Sequence, residues 1–556
     1  MTITKRTLAR QTRQLVSDRP PRAQRLTLEL RVELRVTPAE EAHHGSCNLE
    51  RATPTPANND LNAPGIALLK AIDPATGEAF DSVQITPEEQ IPEIVARARR
   101  AQQSWSKLPF AERARVLASV RASVVKRADE IAETVSRGMG KPLIDALIGD
   151  VGLVLDEFDE YIQHGAEYLA DEPVEVPAKF GAGKRALVRY VPRGVACLIA
   201  PWNFPFGIAM GPLIPALAAG NAVILKPTSA VPMVGALLED LFREALVDHP
   251  DLVQVVHGPG ELGSMIAIAP GVDFVSFTGS TKVGRQLEAS LAPLLRPALL
   301  ELGGSDPAIV TGDANLERAA NAIVWGRFMN NGQVCAAVKR VYVERSVAEP
   351  FIQKVVEKVR ALRVGPYTDH AADVGPLANT RGIDALTAQL KDAIDHGAKL
   401  EIGGFMPKGA DGLFWPPTVL TNVNASMLVM NEEVFGPILP IQVVEDDEEA
   451  IAEANRSDEG LDAYVFCGDP ARAERIANRL QAGSVCINEA VLNYVIAALP
   501  FGGVKQSGIN RYHGKAGLHL FSNIKSVVIG DGKAETEAYW FPYSHETLQA
   551  VKASLR

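Results

Sequence analysis

The chain has 556 residues, 47% of them hydrophobic and 22% charged, which supports several packed domains of roughly 100–200 residues each and excludes wholesale disorder. With 56 Lys and Arg against 67 Asp and Glu, the net charge is −11, so no global positive field draws in nucleic acid. The five cysteines, Cys47, Cys197, Cys335, Cys467 and Cys486, show no CxxC spacing, which points to a reducing, cytoplasmic setting with neither a disulfide frame nor a zinc site.

Residues 1–62 differ from the rest. Nine Lys and Arg between Lys5 and Arg35 face three acids, and no apolar stretch of the secretory kind follows, so this segment reads as a basic arm or an upstream start site. Glu29, Glu33, Glu40 and Glu41 interrupt the basic character that a transit peptide requires. The Pro- and Asn-rich stretch Pro54 to Pro64 reads as the linker into the folded body.

Thr86-Pro87-Glu88-Glu89 has the pattern of a capped helix start. Ile91, Ile94, Val95, Ala98 and Ala101 follow at three- and four-residue spacing, and a further amphipathic run covers Ala111 to Val135, which predicts helical packing surface. Between Arg193 and Lys226 lie 32 residues without a charge. Pro201, Pro205, Pro212 and Pro215 oppose a membrane span, and two buried parallel strands joined by a short helix account for the run.

From Val195 on, apolar runs recur every 20 to 30 residues: Val195 to Ala200, Ala222 to Leu225, Leu252 to Val256, Phe274 to Phe277 and Ala298 to Leu302. That is the spacing of βαβ units, which predicts an α/β fold with a parallel sheet and ligands at the strands' carboxyl ends. Gly258-Pro259-Gly260-Glu261-Leu262-Gly263 fits GxGxxG, but Asp273 lies only ten residues past Gly263. Two readings stay open: a turn that packs helix on strand, or direct contact with a dinucleotide. Phe277-Thr278-Gly279-Ser280-Thr281-Lys282-Val283-Gly284 puts a glycine and hydroxyls at a strand-to-helix turn, where free N–H groups favour an anion. Leu225-Lys226-Pro227-Thr228-Ser229 ends another strand with a cation, either a solvated tip or the wall of a nucleotide cleft.

Cys335 follows a helical stretch from about Leu316 to Asn330, in Asn331-Gly332-Gln333-Val334-Cys335, where the glycine marks the helix end. An inert buried thiol is the ordinary reading of a cysteine, and a nucleophile is the alternative. Glu301 stands at a strand end in Glu301-Leu302-Gly303-Gly304, and spacing alone does not pair it with Cys335. Neither a GxSxG elbow nor HExxH occurs, so serine-hydrolase and zinc mechanisms lose their usual supports.

Taken together, Pro201-Trp202-Asn203-Phe204-Pro205, Lys226-Pro227, Phe277 to Gly284, Glu301 to Gly304, Gly332 to Cys335, Glu433-Val434-Phe435-Gly436-Pro437 and Pro500-Phe501-Gly502-Gly503-Val504-Lys505 resemble the aldehyde dehydrogenase superfamily, in its order, from about Asp73 to Val528. The resemblance implies a Rossmann-like coenzyme domain (63–172 and 192–302), an α/β catalytic domain (303–508), a small β oligomerisation element (173–191 and 509–530) and a C-terminal tail (531–556). It implies a homodimer or homotetramer without a transmembrane span that oxidises a small-molecule aldehyde to its acid with NAD or NADP.

In that resemblance Cys335 attacks the carbonyl, the Asn203 amide and the Cys335 N–H hold the oxyanion, and Glu301 activates the hydrolytic water. Trp202, Lys226, Ser229, Gly279, Ser280, Glu433 and Phe435 line the cofactor. Many NAD-using members carry glutamate where this chain has Ser229, so NADP is expected to be tolerated. The apolar segment Val491 to Ala498 lies where the family's substrate tunnel is often lined, although core packing explains it equally well, and the tail Trp540-Phe541-Pro542-Tyr543 distantly resembles members acting on apolar aldehydes, so the resemblance leans toward an apolar or aromatic aldehyde. The alternatives are a succinate-semialdehyde dehydrogenase-like activity, an acyl-CoA-forming enzyme, which the retained Glu301 opposes, and a catalytically silent binding protein.

Overall fold

The computed structural model describes residues 67–177, 183–406, 411–537 and 539–555. The basic arm 1–62 and the stretch Pro54 to Pro64 lie outside the described residues.

The five apolar runs form one sheet. In spatial order it consists of Gly508–Ile509, Ala298–Glu301, Phe274–Thr278, Val195–Ile199, Ala222–Lys226 and Val253–Val255, parallel throughout except for the short first strand. The chain enters at Val195, adds two strands on one side, then crosses back to add Phe274 and Ala298 on the other. Strand order therefore reverses between Val195–Ile199 and Phe274–Thr278, and the crevice beyond their carboxyl ends is where such sheets take ligands.

Register fixes what stands along that edge. Ile199 is level with Lys226 on one side and Phe277 on the other, and Thr278 is level with Glu301. Strands about 4.8 Å apart thus set Lys226 and Glu301 roughly 15 Å apart across three strand intervals.

Just past Glu301 the chain leaves this sheet and enters a second through Pro307–Val310. The second sheet runs Lys399–Ile402, Thr418–Thr421, Ile438–Val444, Arg340–Glu344, Pro307–Val310, Asp462–Phe466 and Ser484–Ile487, with only the first strand antiparallel. A third, antiparallel sheet pairs Ser522–Gly530 with Lys184–Pro192 and Glu172–Val174, with Val188 opposite Ser526. Its outer strand leaves Ile524 and Val528 each 70% exposed.

The charge-free run is two buried strands joined by the helix Gly207–Ala218, which is buried on every face and so apolar all round. Among the described residues no helix is long and apolar enough to cross a membrane, and no group of His, Cys, Asp and Glu is set to hold a metal ion.

Three local expectations change. Thr86 does not cap a helix, because its hydroxyl accepts from the His257 N–H at 3.1 Å. A short 3-10 turn, Glu88–Gln90, precedes the helix Ile91–Trp105 instead. The run from Ala111 to Val135 is two helices, Phe110–Lys126 and Ala128–Met139, broken at Arg127, whose φ of −106° and ψ of 15° lie outside the helical range. The helix before Cys335 ends at Phe328 rather than Asn330, because Asn330 and Asn331 take left-handed φ angles of 49° and 53°.

Candidate active site

The left-handed turns at Asn330 and Asn331, continued by Gly332 at φ 71°, swing the chain off its helix and toward the second sheet. A Cβ on Gly332 would lie 2.5 Å from the Gly436 carbonyl, so only glycine lets the loop pack against the Glu433–Pro437 segment. Asn330 Nδ2 donates to the Gln333 carbonyl at 3.2 Å, and Gln333 Oε1 accepts from the Ala378 N–H at 3.0 Å, which fixes the approach to Cys335.

Lys339, which sequence reasoning did not single out, joins the motifs. Its ammonium is fully buried and donates to the carbonyls of Cys335 and Gly304, both at 2.7 Å, and to Glu433 Oε1 at 3.2 Å. Glu433 Oε1 also accepts from the Gly304 N–H at 3.2 Å. One cation thereby ties the nucleophile loop, the segment after Glu301 and the Glu433 loop together. The sequence signal was the charged pair Lys339-Arg340 set between the apolar stretches Ala336 to Val338 and Val341 to Val343, a position where an unpaired charge is expensive.

Glu301 is 1% exposed, and its Oε1 has no hydrogen-bond partner among the described residues. Burial pushes its carboxyl well above the ordinary value, and the charges of Asp462, Glu433 and Asp306 add to the shift while Lys339 opposes it. Burial likewise raises the Cys335 thiol, and the second cause is the charge of Glu301. Far apart in sequence, the two groups lie in one electrostatic neighbourhood, and each is shifted toward its uncharged form. Cys335 keeps partial exposure, whereas Cys197, Cys467 and Cys486 are buried; none of the four is in a disulfide.

Asn203 is 4% exposed, and its main-chain carbonyl accepts from Lys141 Nζ at 2.7 Å and Asn330 Nδ2 at 2.8 Å. No hydrogen bond to another described residue engages its side-chain amide or the Cys335 N–H, so both donors are available. The Trp202 and Phe435 rings meet edge to face with centroids 5.4 Å apart.

On the other flank, Lys226 is 4% exposed, and its ammonium has no hydrogen bond or ion pair among the described residues. Burial lowers its pKa to about 8 while Glu261 pulls the other way. Gly263 lets its helix settle against the sheet, since a Cβ there would lie 3.3 Å from Ile199 Cδ1 and 3.5 Å from Lys226 Cδ. Asp273 is spent on the Val195 N–H and Arg99 at the amino end of its strand. The GxGxxG stretch thus packs helix on strand, as the first of its two readings expects. Gly279 begins the turn that leads to Ser280, which caps the helix Thr281–Leu291 and accepts from the Val283 N–H at 3.4 Å. Ser229 is half-buried in a bend three residues past Lys226.

Sequence reasoning also missed a buried pair, His513 Nε2 to Glu157 Oε1 at 2.6 Å. It lies beside Tyr512, whose hydroxyl donates to that of Tyr494 at 3.2 Å. Histidine and glutamate in unrelated segments carry no local pattern that links them.

A parallel sheet with a ligand crevice at its order reversal and a buried carboxyl at one strand end, joined to a second sheet preceded by a thiol loop in the same field, has the arrangement of an α/β enzyme. The aldehyde dehydrogenase family profile matches residues 64–527. A 4,4'-diapolycopene aldehyde oxidase of Methylomonas sp is 38% identical over 88% of this chain and 90% of its own. A succinate-semialdehyde dehydrogenase [NADP(+)] of Mycobacterium avium is 37% identical over 84% of this chain and 98% of its own. The crystal structure of a Mycobacterium tuberculosis aldehyde dehydrogenase complexed with NAD+ superposes with a TM-score of 0.79 at 31% identity, over 84% of this chain and 95% of that one. The chain belongs to the aldehyde dehydrogenase family.

The Glu301 charge raises the Cys335 pKa, so Glu301→Gln removes a force opposing the thiolate. The pH midpoint of Cys335 alkylation by iodoacetamide is expected to move down in that variant, and an upward move would contradict the electrostatic assignment.

Proposed function

We propose that the chain oxidises an aldehyde to its carboxylic acid through a covalent intermediate on Cys335, with NAD or NADP as electron acceptor. The observation that carries this reading is the mutual placement of Cys335 and Glu301 in one field, with the Lys339 cation opposing the rise in pKa of both.

The residues present fit a dinucleotide. The unpartnered, buried Lys226 ammonium and the capped helix start at Ser280 border the crevice where strand order reverses, and they suit ribose hydroxyls and phosphate oxygens. Trp202, Glu433, Phe435, Gly279 and Ser229 complete the cofactor lining. The bound nicotinamide supplies the hydride acceptor.

The Cys335 thiol passes its proton to water as the sulfur attacks the carbonyl carbon. The Asn203 side-chain amide and the Cys335 N–H donate to the oxyanion of the thiohemiacetal, where donors fixed in advance act in a site of low dielectric. After oxidation Cys335 carries a thioester. Glu301 accepts a proton from water, which attacks the acyl carbon and releases the acid and the thiol. Because burial raises the Glu301 pKa, its ionised, basic form appears only at a pH above the usual carboxylate range, and deacylation rises through that higher window.

An apolar or aromatic aldehyde suits the entrance better than succinate semialdehyde. Leu492, Ile496 and Leu499 are each more than 40% exposed beside Tyr494, so the segment Val491 to Ala498 is not simply core. Lys339, the cation whose field reaches Cys335, is committed to two carbonyls and Glu433 rather than offered to a distal carboxylate. The Methylomonas relative is named a 4,4'-diapolycopene aldehyde oxidase.

Three outcomes follow. Glu301→Gln keeps a pre-steady-state burst of NAD(P)H at 340 nm while steady-state turnover falls about 10²-fold or more, and Cys335→Ala abolishes both; an unchanged steady-state rate in Glu301→Gln removes that residue from deacylation. Hexanal or benzaldehyde shows a higher kcat/KM than succinate semialdehyde, and the reverse order overturns the substrate reading. The wild type accepts NADP, and Ser229→Glu lowers kcat/KM for NADP at least about tenfold relative to NAD by placing a carboxylate where a 2'-phosphate must sit; a strong NAD preference in the wild type defeats this.

A further inference from the structure

Lys141 is 1% exposed and remote in sequence from every residue assigned a chemical role above. Its ammonium donates to Asp150 Oδ2 at 3.0 Å and to the Asn203 main-chain carbonyl at 2.7 Å, and it lies 3.8 Å from the centroid of the Phe204 ring. Asp150 belongs to a π-helical turn, Leu147–Gly152, that interrupts the helical run between Leu143–Ala146 and Leu153–Tyr168. Such a bulge shifts the facing of the residues in it, and bulges of this kind recur at functional sites.

Here the turn aims Asp150 inward. Its Oδ2 takes Lys141, and its Oδ1 accepts from the N–H groups of Phe206 and Gly207, both at 3.0 Å, at the start of the buried helix Gly207–Ala218. The same segment reaches the nucleophile loop, because Asp145 Oδ2 accepts from the Asn330 N–H at 2.8 Å. Asn330 Nδ2 in turn supplies the second donor, at 2.8 Å, to the Asn203 carbonyl. Both sides of the Asn203 peptide region are thus held: the carbonyl by Lys141 and Asn330, and the amides three and four residues on by Asp150.

A buried ion pair is weak evidence for stability, because desolvation offsets much of the attraction. Lys141 here also donates to the main-chain carbonyl of Asn203, whose side-chain amide makes no hydrogen bond among the described residues and receives the oxyanion in the mechanism proposed above. Fixing that peptide plane fixes the direction of the Asn203 Cα–Cβ bond. It spares the amide the reorganisation that would otherwise fall in the reaction step.

We propose that Lys141, with Asp150 and Asn330, is a positioning residue that acts through Asn203, holding its side-chain amide where the oxyanion forms. The proposal rests on the oxyanion role given to Asn203 above.

A double-mutant cycle on the rate of the hydride burst tests it, using whichever of hexanal and succinate semialdehyde turns over faster and reading absorbance at 340 nm. Asn203→Ala is expected to slow the burst about 10²- to 10³-fold, the usual loss for one oxyanion donor. Lys141→Met should slow it about tenfold or more in the native background and less than about twofold in the Asn203→Ala background, because its effect passes through the amide. Equal slowing in both backgrounds overturns the proposal and leaves Lys141 a structural residue. An unimpaired Asn203→Ala removes the oxyanion role itself, and the positioning role with it. Lys141→Met strands Asp150, so the cycle is repeated with Lys141→Met/Asp150→Asn, which keeps an oxygen for the Phe206 and Gly207 amides. It is repeated again with Asn330→Gly, which removes the second donor while tolerating the left-handed φ.

Discussion

The active region depends on one buried ammonium. Lys339 immediately precedes the strand Arg340–Glu344 that carries the chain away from Cys335, and it donates to the carbonyls of Cys335 and Gly304 and the carboxylate of Glu433. Each partner belongs to a different loop, and none is held to the others by secondary structure. A carbonyl or carboxylate left unpaired at this depth costs more than an ordinary hydrogen bond gains, so the three loops are stable only together. The cation also opposes the rise in pKa of both Glu301 and Cys335.

Acids outnumber cations in this neighbourhood. Glu301, Asp306, Asp462 and Glu433 all face Lys339, and Asp462 is itself pushed up to about 7, by burial first. At an effective dielectric constant of about 20, unit charges about 4 Å apart interact by about 4 kcal/mol, so further negative charge in the chamber is strongly resisted. That resistance raises the pKa of both the thiol and the carboxyl. In the proposed mechanism Asn203, whose main-chain carbonyl accepts from Lys141 and Asn330, and the Cys335 N–H donate to the oxyanion.

Topology supplies the remaining constraint. Reversal of strand order opens the crevice between Val195–Ile199 and Phe274–Thr278, and parallel register puts Lys226 and Glu301 on one edge, three strands apart. That distance suits an elongated ligand with one end at the lysine and the other at the carboxyl. Strand register alone delivers it, without help from long loops.

Much of this was legible in the linear chain. The period of short apolar runs announced a parallel sheet, since strands buried on both faces must be apolar throughout. The motifs around Asn203, Glu301, Cys335 and Glu433 identified the family because their order is shared. What stayed hidden were the contacts between segments: Thr86 bonded to His257 instead of capping a helix, Lys339 bridging three loops, His513 against Glu157, and Lys141 holding Asn203 from behind. Local sequence determines backbone preference and the alternation of burial, because both are set within a few residues. The partner of a buried charge is chosen only when distant segments meet, so the protonation states of Cys335 and Glu301, and the support behind Asn203, were decided by the tertiary fold.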